Sequence, residues 1–400
     1  MLQGEIHPDF GEVATILSKL LPRGEPGGGG VCVYHGGERV VDIWGGTRDE
    51  AGNPWEADTL ALSYSTTKGV ISTLLHIYVD RGLLDYDDPV AKHWPEFEAG
   101  GKQDITVRHL LCHEAGLYGI RHMVDDASRM LDWDYMVRTL ARATPAHRPG
   151  SEHGYHGLTF GWLVGELLQR VGTAPLSRLL ERDLAGPLAL DGLCIGVSDA
   201  ELPRVARLIG HQAHTTEHEP PRKSDGQPGW GRRINRLLRA LRFPVDFECF
   251  AAALMPKGIQ RFDWNRPEVL RAQIPAANGV FTARSIARIY AALANGGSLG
   301  DVKLVGERTL TRATSIQNRG LDRVIPLPMR WRLGYHRVIT VRPRMPEAFG
   351  HFGLGGSGGL ADPRRNLSVA FVTNYGMGTP FGDLRIPRLA QAAARCADRR

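Results

Sequence analysis

The stretch Ala61–Asp80, ALSYSTTKGVISTLLHIYVD, decides how the rest of the chain is read. Val70, Ile71, Leu74, Leu75 and Tyr78 recur at helical spacing, and Gly82 ends the run. Ser65 stands at the head of this predicted helix, with Lys68 three residues on. Residues three apart share a helix face, their Cβ atoms about 5–6 Å apart, so hydroxyl and amine can meet over one spot. The first-turn N–H groups have no intrahelical partner and can face developing negative charge. That is a workable layout for a nucleophilic serine. The competing reading is a capping serine followed by a solvated lysine. Of the seven lysines only Lys68 has a serine three places earlier, and an apolar run is a poor place for a solvated ammonium.

Four hundred residues can bury a large core, as one composite domain or two. Hydrophobic residues make up 42% and charged residues 23%, which places the chain among ordinary soluble globular proteins. The net charge of +6 comes from arginine, and no long basic block carries interleaved aromatics, so nucleic acid is not an expected partner. No secretory leader pattern opens the sequence and no eighteen-residue apolar run occurs, so a cytoplasmic location without a transmembrane span is expected. Cys32, Cys112, Cys194, Cys249 and Cys396 are scattered and show no C-x-x-C, which argues against a disulfide framework or zinc knuckle. No metal or organic cofactor is called for.

Working outward, residues 9–21 read as an amphipathic helix with Phe10, Val13, Ile16, Leu17 and Leu20 on one side. The Gly27–Gly30 run reads as a linker. The segment VCVYHGGERVVDIWGG reads as a hairpin turning at His35-Gly36-Gly37. From Asp85 to about Val171 the signals are helical: ITVRHLLCHEAGL starts a helix after Asp104 and stops it near Gly116, and GLTFGWLVGELLQRVG reads as a buried helix. Residues 210–260 form an island rich in Pro, Gly, His and Arg. Within it Trp230, Ile234, Leu237, Leu238 and Leu241 share a helical face, with Arg232, Arg233, Arg236 and Arg239 largely on the others. Residues 229–242 therefore suit a cap over an apolar substrate, peripheral contact with an anionic membrane, or a plain surface helix. His211, His214 and His218 lack the matching acid or cysteine cluster of a metal site. After Ile274 comes turn, helix and Gly stop; then WRLGYHRVIT, AFGHFGLGGSGGLADP and LSVAFVTN read as strands, and a helix closes at about Ile386–Cys396. Strands at both ends around a helical middle predict an α/β chain of α+β type. One antiparallel sheet domain would come from 1–84 and 275–400, with an all-helical lobe over 85–274.

Three places then read together: Ser65-Thr66-Thr67-Lys68, Tyr155-His156-Gly157 on a Gly-punctuated loop, and Gly350-His351-Phe352-Gly353 entering Gly355-Gly356-Ser357. Their order and spacing, with LLCHEAGL, ANGVFTARSIARIYAALANGG and GHFGLGGSGGLADP, resemble the serine β-lactamase and penicillin-binding-protein superfamily. The likeness is nearest to class C β-lactamase-like carboxylesterases, called family VIII, and covers about residues 30–375 apart from most of the island. The resemblance implies a β-lactamase-like fold with Ser65 as the acylated nucleophile. Lys68 would be the adjacent base, or the cation that keeps the base ionised, and Tyr155 the proton relay. It also implies an oxyanion hole from the backbone amides of Ser65 and Leu354, with His351, Gly353, His156 and Gly157 around the substrate. On physical grounds a serine hydroxyl needs a neighbour to take its proton, and burial lowers a lysine's pKa. That lysine's charge is expected to draw the phenol of Tyr155 down as well.

Two departures set the expected activity. In the lactamases the second motif ends in Asn and the third is Lys-Thr-Gly; here Gly157 and His351-Phe352 take those places. A partner for a substrate amide and a permanent cation for a substrate carboxylate are both lost, whereas attack on a neutral ester is untouched. A serine hydrolase of carboxylic esters is therefore expected, and the family resemblance with a possible apolar cap implies short to medium acyl chains. The alternatives are a β-lactamase or D,D-peptidase, acyl transfer to an alcohol or amine, and a non-catalytic binding protein of the same fold. Oligomeric state is left open. Gly355-Gly356-Ser357-Gly358-Gly359 also satisfies G-x-S-x-G, the nucleophile elbow of α/β-hydrolases. That machinery needs a later histidine, and none follows His351.

Overall fold

The computed structural model describes residues 1–210, 247–325, 327–376 and 383–400. Its backbone is a seven-stranded antiparallel sheet drawn from both ends of the chain. In spatial order the strands are Gln3–Ile6, Glu38–Gly46, Gly28–His35, Leu367–Thr373, Gly358–Asp362, Phe349–Phe352 and His336–Arg337. Period-two patterning gives the sheet two apolar faces. Val31 pairs with Phe371 and Val33 with Val369, and these four join the core under the helices Gly11–Leu20 and Arg385–Arg399. Their alternates Cys32, Ala370 and Val372 turn the other way, into a core shared with the helices Thr66–Asp80, Thr159–Gly172 and Ala283–Ala294. The expected hairpin is present, and its turn has Gly36 and Gly37 at φ +58° and +83°, the paired positive values of a tight hairpin turn.

The Gly27–Gly30 run is not a linker: Gly28–Gly30 begin the strand Gly28–His35 and are buried. Close packing explains the glycines. A Cβ on Gly28 would lie 2.7 Å from the Gly45 carbonyl oxygen, and one on Gly29 2.7 Å from that of Val372. WRLGYHRVIT also contributes less strand than expected, only His336–Arg337. Before it, Leu333 N–H donates to Ala313 O at 3.0 Å and Arg332 N–H to Tyr335 O at 2.8 Å, so the backbone is satisfied away from the sheet. The helix in ITVRHLLCHEAGL covers only Val107–Leu111, because His113 adopts a left-handed φ of +65°. The amphipathic segment 229–242 and His211, His214 and His218 lie outside the described residues.

The helix headed by Ser65 runs from Thr66 to Asp80 and is buried almost throughout, which is why its apolar residues are not confined to one stripe. Gly69 lets it press on the helix Ala283–Ala294 and on the strand Phe349–Phe352: a Cβ there would lie 2.3 Å from the Tyr290 hydroxyl and 3.2 Å from His351 Cβ.

Candidate active site

Four chain segments meet around Ser65. The residue before it, Tyr64, has φ +45°, a left-handed value that costs a non-glycine residue about 1 kcal/mol or more. Neighbouring bonds hold this turn. Ser63 N–H donates to Gly279 O at 2.8 Å, and Thr67 Oγ1 donates to Tyr64 O at 2.6 Å. A side chain at Gly353 would collide with Ser63, its Cβ 2.2 Å from the carbonyl oxygen, so only glycine lets the third-motif strand come this close.

Lys68 is fully buried, one turn into the helix. Its Nζ lies 2.7 Å from Gly157 O, 2.9 Å from Ala276 O and 3.0 Å from Ser65 Oγ. Carbonyls only accept, so two N–H bonds are committed to Gly157 and Ala276. The third direction, toward Ser65, holds a lone pair when the amine is neutral and a proton when it is charged. Burial holds the pKa well below the usual lysine range, which favours the neutral amine.

The Tyr155 hydroxyl donates to Ser65 Oγ at 2.7 Å. Its loop is fixed on both sides: Gly154 N–H donates to His113 O at 3.0 Å, and Tyr155 N–H to Asp322 Oδ1 at 3.0 Å. The phenol does not behave as expected from its charged neighbour. Burial pushes its pKa up, opposed in part by the bond to Ser65. A lysine that has lost its charge has nothing to draw the phenol down with. Amine neutral and phenol protonated is the resting pair that results.

The remaining residues singled out in the sequence divide between those near Ser65 and those turned elsewhere. His351 is buried against the helix; its Nδ1 lies 3.3 Å from Phe352 O and its Nε2 has no hydrogen-bond partner among the described residues. Burial holds it well below the ordinary histidine range, so it offers no cation near neutral pH. Leu354 follows Gly353 in a half-exposed turn braced by Arg385, whose Nη2 donates to Gly355 O at 2.8 Å. His156 is turned away: its Nε2 accepts from Leu117 N–H at 2.9 Å and its ring stacks on His113. Gly157 contributes its carbonyl to Lys68, and a Cβ on it would lie 2.2 Å from Leu254 Cδ2. Ser357 is buried, and its Oγ accepts from Thr373 N–H at 3.1 Å. The elbow match is therefore a strand end with a structural serine.

Sequence reasoning missed the Ala276 carbonyl, Asp322 and Trp331. A backbone carbonyl carries no side-chain signal, and Asp322 lies in RGLDRVIPLP, where no periodicity or motif marks it.

A beta-lactamase family model matches residues 14–394. The chain belongs to the beta-lactamase family. Within it, the chain is 38% identical over 374 residues to "Esterase/beta-lactamase LipL" of Mycobacterium tuberculosis, covering 93% of this chain and 82% of that protein. It is 31% identical over 366 residues to "Esterase EstB" of Burkholderia gladioli, covering 84% of this chain and 83% of that one. A crystal structure of a family VIII carboxylesterase superposes with a TM-score of 0.84 at 34% identity, covering 99% of this chain and 100% of the other. The expected β-lactamase-like fold is thus the observed one, and the likeness to family VIII holds over the whole length.

Proposed function

We propose that this protein is a serine hydrolase that cleaves carboxylic esters through an acyl-enzyme on Ser65. One observation carries the reading: Ser65 Oγ sits between a buried amine at 3.0 Å and a phenol at 2.7 Å, brought from separate parts of the chain. Neutral Lys68 takes the Ser65 proton as Oγ bonds to the acyl carbon. The backbone N–H groups of Ser65 and Leu354 receive the oxyanion. When the tetrahedral centre collapses, Tyr155 gives its proton to the departing alkoxide, leaving a phenolate beside the Lys68 ammonium. Water then loses a proton to that phenolate and attacks the acyl carbon, and Lys68 returns its proton to Ser65 Oγ. Both groups end as they began.

Ester rather than β-lactam or peptide substrates follow from what surrounds the centre. Leu254 fills the space beside Gly157 where an amide side chain would stand. His351 is neutral, so it supplies no fixed cation for a substrate carboxylate. Short to medium acyl chains are the preferred substrates in this reading, and the cytoplasm suits cysteines that form no disulfide. Among the described residues no helix is long and apolar enough to cross a membrane. Slow β-lactam cleavage by the same acyl-enzyme is the second reading, favoured by the double name of the LipL relative.

Intact-protein mass spectrometry after a fluorophosphonate probe tests the nucleophile: the wild type gains one label and Ser65→Ala gains none. Turnover of p-nitrophenyl esters against nitrocefin then separates the two readings. Labelling that persists in Ser65→Ala removes Ser65 from the mechanism; a burst of acyl-enzyme without turnover makes the protein a binder.

A further inference from the structure

Asp322 is buried and far in sequence from every motif, yet four N–H groups converge on it. Its Oδ1 accepts from the backbone N–H groups of Tyr155 at 3.0 Å, Val324 at 2.8 Å and Ile325 at 2.9 Å. Its Oδ2 accepts from Trp331 Nε1–H at 2.9 Å. The Trp331 indole lies flat against the Tyr155 ring, planes 5° apart and centroids 5.4 Å apart. One carboxylate therefore grips the Tyr155 backbone with one oxygen and, through the indole, backs its ring with the other. A phenol has two torsions to fix before its hydroxyl points reliably at Ser65. The backbone bond sets where the side chain starts, and the stacked indole sets the plane in which the ring lies.

We propose that Asp322, with Trp331, is the positioning unit of the proton donor Tyr155, and that it governs how well the enzyme expels poor leaving groups. The inference rests on the Tyr155 role given above. A buried carboxylate held by four N–H donors needs no cation. Its negative charge adds to burial in keeping the nearby phenol protonated. In the acylation step a donor is needed only when the departing oxygen is basic. An ethyl ester releases an alkoxide that must be protonated, whereas p-nitrophenolate leaves unaided.

Asp322→Asn separates the two grips. The amide oxygen can still accept at the Oδ1 position, but its NH2 group then faces Trp331 Nε1–H, donor against donor. Trp331→Phe removes that indole donor and keeps an aromatic ring against Tyr155, so the double variant relieves the clash. Kinetics on ethyl and p-nitrophenyl esters of one acid, per fluorophosphonate-titrated site, test the idea in Asp322→Asn, Trp331→Phe, the double variant and Tyr155→Phe. For Asp322→Asn, kcat/KM on the ethyl ester falls about 10- to 100-fold, while kcat/KM on the p-nitrophenyl ester, which likewise reports acylation and not the deacylation the two esters share, loses less than about 3-fold. The double variant recovers part of the ethyl-ester loss. Equal losses on both esters, or no recovery, would show a merely structural aspartate and overturn the proposal. Should Asp322→Asn fail to fold, Trp331→Phe alone carries the test, with the same preferential loss on the ethyl ester expected and equal loss overturning it. If Tyr155→Phe itself fails to discriminate the two esters, the donor role of Tyr155 falls and this inference falls with it.

Discussion

Two buried lysines, Lys68 and Lys102, solve the same problem in opposite ways. Lys102 donates to three backbone carbonyls, those of Ala99, Ala141 and Ala143. Three acceptors match the three N–H bonds of an ammonium, and Nζ also sits 5.1 Å from the Phe97 ring centroid. Burial draws its pKa only to about 8, so the group stays charged at neutral pH and ties the loop at residues 99–102 to the end of the helix Trp133–Arg142. Lys68 has two carbonyls and a serine hydroxyl, and burial takes it well below its usual range. Burial lowers both pKa values and does so further at Lys68. Only Lys68 then faces a hydroxyl that can give up a proton, which makes it a candidate base.

Several variants would break or sharpen that contrast. The largest effect is expected from Lys68→Met, which should slow acylation by about 10³-fold or more, measured as the rate of fluorophosphonate labelling. Lys102→Met should leave the labelling rate per folded molecule within about 2-fold. Equal losses in the two would erase the distinction. Next comes pH. Because the Lys68 pKa is lowered, the reactive neutral form is lost as pH falls through that depressed value; below it kcat/KM should drop about tenfold per pH unit. The raised Tyr155 pKa places loss of its proton above the ordinary tyrosine range, so the alkaline limb should lie beyond about pH 10. An acid limb that persists unchanged when Lys68 is replaced would belong to another group.

Smaller effects fall on stability and on fine geometry. Lys102→Met strands three carbonyls that the ammonium satisfied, and should cost on the order of 3 kcal/mol in chemical denaturation. A loss under about 0.5 kcal/mol would mean that water replaces the amine. The smallest change is expected from Gly157→Ala. Its Cβ must push Leu254 aside and so nudges one of the two carbonyls holding Lys68. A few-fold fall in kcat with unchanged melting temperature is expected, and no change in kcat would show that the carbonyl's placement is not critical.

Sequence patterning was legible wherever a residue's local neighbours enforce its role. Ser65 and Lys68 fall on one helix face because of the helical repeat, so their meeting could be read from spacing. The hairpin at Gly36-Gly37 and the alternation in Leu367–Thr373 were equally local. Gly28–Gly30 were misread because glycine signals both a loose linker and a place where other backbone comes close, and only the neighbours distinguish the two. The Tyr155 pKa was misjudged for a related reason. Its direction depends on the charge left on Lys68, and that depends on burial among residues distant in the chain.

What the sequence determined by itself was therefore the local grammar: a serine and a lysine one helical turn apart, strands at both ends, and motifs in a family order. The tertiary structure alone decided the state of the chemistry. It brought the Ala276 and Gly157 carbonyls to the amine, the indole of Trp331 to the phenol, and Asp322 to both the Tyr155 backbone and that indole. Proton affinity is set by the whole surrounding shell of dipoles and excluded water, and that shell is assembled from segments more than a hundred residues apart.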